Sequence, residues 1–195
     1  MPSSIDALLS QIRGCQICAG DLTHGARPIV QASGGACILI AGQAPGRIVH
    51  NTGVPWDDAS GNRLRQWLGI TTEVFYDVTK VALVPMGFCY PGTGKSGDLP
   101  PRPECARTWH GTLLPLLSNL KLKIIIGQYA LRYHLPERAS QSLTEIVAAW
   151  RDLPDGIIVV PHPSPRNQGW FKNNPLFETD LLPVLRARVR ESLGS

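Results

Sequence analysis

Four short apolar runs, each closed by a glycine or proline or opening into a segment rich in them, recur along this chain with helix-like stretches between them. They are Cys37–Ala41 ending at Gly42, Val78–Val84 before Pro85, Lys123–Ile126 before Gly127, and Ile157–Val160 ending at Pro161. Runs this short, without polar alternation, suit strands buried on both faces. Helical patterns lie around and between them. Ser4–Arg13 carries Ile5, Leu8, Leu9 and Ile12 on one face, and Asn62–Leu68 has Ser60 as its expected N-cap. Further helices are expected over Glu104–Ser118, over Gln128–Tyr133, from the capping box Ser142-Leu-Thr-Glu145 to Trp150, and over Glu178–Leu193. Strands alternating with helices imply an α/β fold, a three-layer α/β/α sandwich with a central, mainly parallel four-stranded sheet. Such sheets bind ligands beyond the carboxyl ends of their strands. The loops at Gly42 and Pro161 therefore mark the candidate site.

The length of 195 residues fits a single domain spanning 1–195. At 43% hydrophobic and 17% charged residues, the composition is that of an ordinary folded chain, not a disordered one. No apolar run approaches the ~18 residues of a membrane span. The first residues, MPSSIDALLSQIRG, lack the basic-then-apolar layout of a secretory signal, so a cytoplasmic location is expected. A net charge of +4 is compatible with a phosphate backbone without arguing for one.

Five cysteines, an odd number, argue against a disulfide framework. Cys15 and Cys18 form a Cys-x-x-Cys after the first helix; Cys89 opens the Pro- and Gly-rich stretch Pro85–Pro103, and Cys105 follows sixteen residues later. Two cysteines from one turn and two distant ones suit a site for zinc or for a [4Fe–4S] cluster, although buried free thiols would leave the same pattern. Cys37 falls in an apolar run and is expected in the core. Gly92-Thr-Gly-Lys-Ser96 imitates a phosphate-binding loop, but Cys89 stands where the leading glycine belongs, and Asp98-Leu-Pro-Pro101 forbids the helix that should follow.

Two loops carry the remaining chemistry. The first reads Gly42-Gln43-Ala44-Pro45-Gly46, then His50-Asn-Thr-Gly-Val-Pro-Trp56-Asp57-Asp58-Ala-Ser-Gly61. It offers backbone amides, an aromatic plate and two carboxylates. The second, His162-Pro-Ser164-Pro165-Arg166-Asn167, offers an imidazole on a proline-stiffened turn and several donors for phosphate. A flipped base needs such a stacking surface, edge hydrogen bonds and a backbone clamp.

From Cys15 to about Phe177 the chain resembles the uracil-DNA glycosylase superfamily. Gly42–Gly46 is similar to motif A of its iron–sulfur branches. His50-Asn-Thr-Gly and Asp58-Ala-Ser-Gly61 are similar to segments of the family-five, or type B, enzymes. Gly53-Val-Pro-Trp56 and His162–Asn167 resemble the single-strand-selective monofunctional enzymes instead. Ala44 stands where family one has a water-orienting Asp, and Val84-Pro-Met-Gly87 has no Asn where several branches read the uracil edge.

The resemblance implies a monofunctional DNA glycosylase. It would hydrolyse the N-glycosidic bond of uracil or a related deaminated or damaged base and leave an abasic site. Asp58 and His162 would be catalytic. Gly42, Gln43, Ala44, Pro45, Gly46, His50 and Trp56 would bind the base, and Ser164, Pro165, Arg166 and Asn167 the DNA backbone. Cys15, Cys18, Cys89 and Cys105 would hold a [4Fe–4S] cluster, with zinc as the alternative. The expected partner is damaged DNA, with no membrane and no second copy required. A non-catalytic binder of damaged or abasic DNA is the competing expectation, and a zinc-stabilised RNA-binding domain a more distant one. Asp58 could equally cap the helix that follows it, and Trp170 and Phe171 could be core or a wedge in the DNA stack.

Overall fold

The computed structural model describes residues 4–95 and 97–194. Helix α1 (Ile5–Arg13) leads into β1 (Ile38–Ala41), α2 (Arg47–Thr52), α3 (Ala59–Leu68), α4 (Thr72–Tyr76) and β2 (Val81–Leu83). A two-stranded hairpin follows, β3 (Thr93–Gly94) and β4 (Gly97–Asp98). The next helical run begins as α5 (Pro103–Cys105), widens into a π-turn over Ala106–His110, resumes as α6 (Gly111–Leu113) and ends at Leu116. Then come β5 (Leu122–Ile126), α7 (Gly127–His134), α8 (Leu143–Ala148), β6 (Ile157–Val160), α9 (Gln168–Asn173) and α10 (Leu182–Leu193), the last preceded by a π-turn over Phe177–Leu181.

The central sheet has the order β2-β1-β5-β6, and all three pairings are parallel. This is the expected sandwich, and its two faces follow from side-chain alternation along β1. Ile38 and Ile40 join Leu64, Leu68, Leu185 and Val189 from α3 and α10 on one face. Leu39 turns the other way and packs with Leu8, Leu9 and Ile12 of α1 and with Leu113 of α6. Both faces are closed, which is why the strands read as unbroken apolar runs.

Several boundaries differ from expectation for identifiable reasons. Gln43–Asp58 is not all loop: α2 lies within it, capped by Gly46 before and by left-handed Gly53 after. Asp58, not Ser60, is the N-cap of α3; its carboxylate accepts from the Gly61 N–H at 2.8 Å, and Ser60 is buried inside the first turn. The Val78–Val84 run contributes only Val81–Leu83 to the sheet. Cys37 sits just before β1, half-buried against Lys80. Phe171 is core, and the Trp170 indole donates to Thr144, so neither is a free wedge. The segment that imitates a phosphate-binding loop is the hairpin, with Thr93 opposite Asp98 and Gly94 opposite Gly97; its Ser96 lies outside the described residues. Among the described residues no helix is long and apolar enough to cross a membrane.

Candidate active site

All four strands of the sheet point the same way, so the residues that follow β1, β2 and β6 emerge at one edge. Backbone bonds fasten the first two exits together. Met86 N–H donates to the Gly42 carbonyl and Gly87 N–H to the Gln43 carbonyl, each at 2.9 Å. The N–H groups of Gln43, Ala44 and Gly46 find no acceptor among the described residues. Beside this loop opens a pocket of about 430 Å³, in the roughly 300–1,000 Å³ range of small-molecule sites.

The pocket gathers Gly42, Gln43, Ala44, Pro45, Gly46, Trp56, Asp58, His162, Ser164 and Arg166. His50, Pro165 and Asn167 are not among its lining residues. His50 sits on α2 and packs its ring on Tyr90 and His24, with centroids 5.8 and 6.1 Å away. The Asn167 amide donates to the His162 carbonyl at 2.8 Å, so it holds the turn rather than facing outward. Sequence reasoning missed Arg47, Thr93 and Asp98, all of which line the pocket.

Trp56 is the anchor of the site. It is the one described non-glycine residue with positive φ, at 58°, a conformation that costs free energy unless its surroundings enforce it. They do so on three sides. Gly42 leaves room for the ring, since a Cβ there would lie 3.0 Å from the indole Cζ2. Gly61 leaves room for the main chain: a Cβ there would sit 1.7 Å from the Trp56 carbonyl oxygen. That oxygen accepts from Arg65, whose guanidinium also reaches the Tyr76 hydroxyl, while Tyr76 donates to the Pro55 carbonyl. So held, the indole stacks on His162 with centroids 5.7 Å apart and planes 29° apart.

The turn after β6 fixes the state of His162. Ser164 N–H donates to its Nδ1 at 3.2 Å. A backbone N–H can only donate, so Nδ1 carries the lone pair and the neutral ring bears its proton on Nε2. Burial pushes the imidazole below its ordinary range, and the Asp58 and Asp98 carboxylates pull it part of the way back. The net effect favours a neutral ring that is a hydrogen-bond donor through Nε2.

A second, much smaller cavity is separate from the pocket. Cys15, Cys18, Cys89 and Cys105 line it together with Phe88, Arg102 and Trp109. Burial pushes the Cys89 thiol up to about 11 and raises Cys18 and Cys105 as well. Among the described residues no group of three His, Cys, Asp or Glu side chains stands close enough to hold one metal ion. The donor set is nonetheless all sulfur, and Arg102 stands beside Cys18 to offset thiolate charge. Four thiols around one cavity are a donor set that suits zinc or a [4Fe–4S] cluster.

Fold and pocket together define an α/β sandwich protein with a pocket at the carboxyl edge of its parallel sheet. Residues 31–186 match the model of the uracil DNA glycosylase superfamily, and the chain belongs to that superfamily. The superfamily acts on damaged bases in DNA.

Proposed function

We propose that the protein is a monofunctional DNA glycosylase that removes uracil or a related deaminated base and leaves an abasic site. The observation that carries this reading is His162, held neutral by Ser164, stacked on Trp56 and set in the wall of a pocket of about 430 Å³. A base flipped out of the duplex enters that pocket and meets the Trp56 side. The unpaired N–H groups of Gln43, Ala44 and Gly46 offer donors to its carbonyl oxygens. As the glycosidic bond stretches, negative charge grows on the leaving base, and the Nε2–H of His162 stabilises it without transferring its proton. Asp58 keeps one oxygen in the α3 cap and lines the pocket, where its negative charge favours the positive charge growing on the sugar. Arg47 and Arg166, exposed at the rim, supply cations for flanking phosphates.

The same reading assigns Cys15, Cys18, Cys89 and Cys105 as ligands of a [4Fe–4S] cluster. Bound there, the cluster would tie the turn after α1 to both ends of the 89–105 segment, a structural role. Brown protein with about four irons per chain is the expected finding, and colourless protein with one zinc would overturn it.

The test of function is a panel of oligonucleotides, each with one uracil, hypoxanthine or xanthine, incubated with excess protein. Release of free base, with strand scission only after alkali, is the expected outcome. If no base is released while abasic DNA binds tightly, the protein is a binder of damaged DNA.

A further inference from the structure

Hydrolysis of a glycosidic bond needs a group that directs water at the sugar. Asp58 is poorly placed for that task. It is half-buried, and one of its oxygens is engaged by the Gly61 N–H at 2.8 Å. Asp57 is exposed and lies outside the pocket lining. Ala44 has nothing to offer. The base must go inward, toward Trp56 and His162, so the sugar stays at the mouth. A group that handles the attacking water must therefore stand at the mouth too.

The hairpin puts one there. Asp98 is exposed, yet it lines the pocket, and its Oδ2 hangs over the Gly46 turn, 3.5 Å from where a Cβ on Gly46 would be. Among the described residues its carboxylate has no hydrogen-bond donor. Hydrogen bonds tie the backbone around it to its neighbours. Leu99 N–H donates to the Gly92 carbonyl at 2.8 Å, the Gln43 amide donates to the Leu99 carbonyl at 3.1 Å, and the Tyr90 hydroxyl is hydrogen-bonded to Thr93, the cross-strand partner of Asp98. A Cβ on Gly97 would lie 3.7 Å from the Arg166 guanidinium. A carboxylate without a donor among the described residues, lining the same pocket as a neutral donor histidine, is the arrangement that divides acid–base work between two groups.

We infer that Asp98, carried on the β3–β4 hairpin, is the carboxylate that orients and deprotonates the attacking water, an inference that rests on the glycosylase reading above. The water oxygen bonds to C1′ of the flipped nucleotide as the C1′–N bond breaks. The electron pair leaves on the base, held by His162 Nε2–H, and the water's proton passes to the Asp98 carboxylate. Asp98 then returns that proton to solvent, and the released base takes one up from solvent.

The experiment is single-turnover excision by Asp98→Asn and Asp98→Ala, on whichever lesion the wild type releases. Both rates should fall by about 10²-fold, the scale of losing one acid–base group. Affinity for abasic-site DNA should be unchanged or higher, since a negative charge has left the DNA-facing rim. Added formate, a small carboxylate, should restore part of the Asp98→Ala rate and none of the His162→Ala rate. An Asp98→Asn rate within about threefold of wild type would overturn the inference. So would a rate loss that comes with weakened DNA binding and no formate rescue, which would make the hairpin a scaffold only. If the wild type itself releases no base, the glycosylase reading fails and this inference fails with it; the wild-type lane alone separates that case from the others.

Discussion

Gly61→Ala tests the most specific packing claim in the site. Gly61 lies in the first turn of α3, directly under the Trp56 carbonyl. An added Cβ would stand 1.7 Å from that oxygen, 2.6 Å from the Trp56 carbonyl carbon and 2.9 Å from its Cβ. All three atoms are fixed by backbone that is already left-handed, so no flexible side-chain tip can give way. Overpacking costs roughly 1–3 kcal/mol and more where backbone must move, so a loss of about 3 kcal/mol is expected. An unfolding entropy of about 2.1 cal/mol/K per residue comes to about 0.4 kcal/mol/K for 195 residues, and the melting temperature should drop by about 7 °C. The same clash tilts Trp56 off His162 and pulls Gly61 N–H away from Asp58. Excision should therefore fall by at least about tenfold, because angstrom-scale misplacement of catalytic groups is costly. Calorimetry or thermal circular dichroism, with single-turnover excision on the same samples, reads both effects. Gly111→Ala is the control. It lies in α6 with nothing within 4 Å of the added methyl, and it should raise stability by about 0.5 kcal/mol. A Gly61→Ala protein that melts within about 1 °C of wild type and keeps full activity would refute the account of how Trp56 is held.

Three further outcomes follow from the geometry. Asp58→Ala should cost about 1 kcal/mol of stability from the lost helix cap, whereas Asp58→Asn should keep the cap and lose rate, so that urea unfolding and excision kinetics separate its two duties. His134, whose Nε2 is buried without a partner among the described residues, is held by burial at a pKa of about 4 against 6.5 for the free ring. The unfolded chain therefore binds a proton that the folded chain refuses, so His134's contribution is intact above pH 6.5 and is lost as pH falls toward 4, on the order of 3 kcal/mol in all. His134→Leu should flatten that part of the stability-versus-pH curve, and an unchanged curve would count against the assignment. Arg47→Ala and Arg166→Ala should each weaken binding to any DNA and reduce the salt dependence by about one phosphate contact; a change in base preference with unchanged salt slope would rule out the phosphate role.

The sheet was legible in the sequence because burial on both faces leaves no room for polar residues. Ile157–Val160 matches its strand residue for residue, and Lys123–Ile126 falls one short. The short helix α2 was hidden by its own caps: Gly46 and Gly53 bound a helix of six residues, and in a sequence they read as breakers. Asp58 was legible as a carboxylate near the site and as a possible cap, and it is both. The hairpin was not legible. Two residues per strand carry no periodicity, and Thr93 and Asp98 meet in the pocket only because the chain turns back between them. His50 was read with its pocket-lining neighbours in sequence, Arg47, Ile48 and Val49, while α2 turns its ring toward His24 and Tyr90.

The hairpin that overhangs the pocket springs from Cys89 and returns at Cys105, both of which line the same second cavity. Its two feet stand on common ground, whatever lies between them. A segment anchored this way can change length at little entropic cost, about 0.6 kcal/mol for each doubling of a flexible loop. The sheet and Trp56 would not register such a change, and His162 would not as long as Asp98 is kept. The span from 89 to 105 can thus vary in length around Asp98, so that descendants of one scaffold could come to admit different lesions while that carboxylate keeps its place over the pocket.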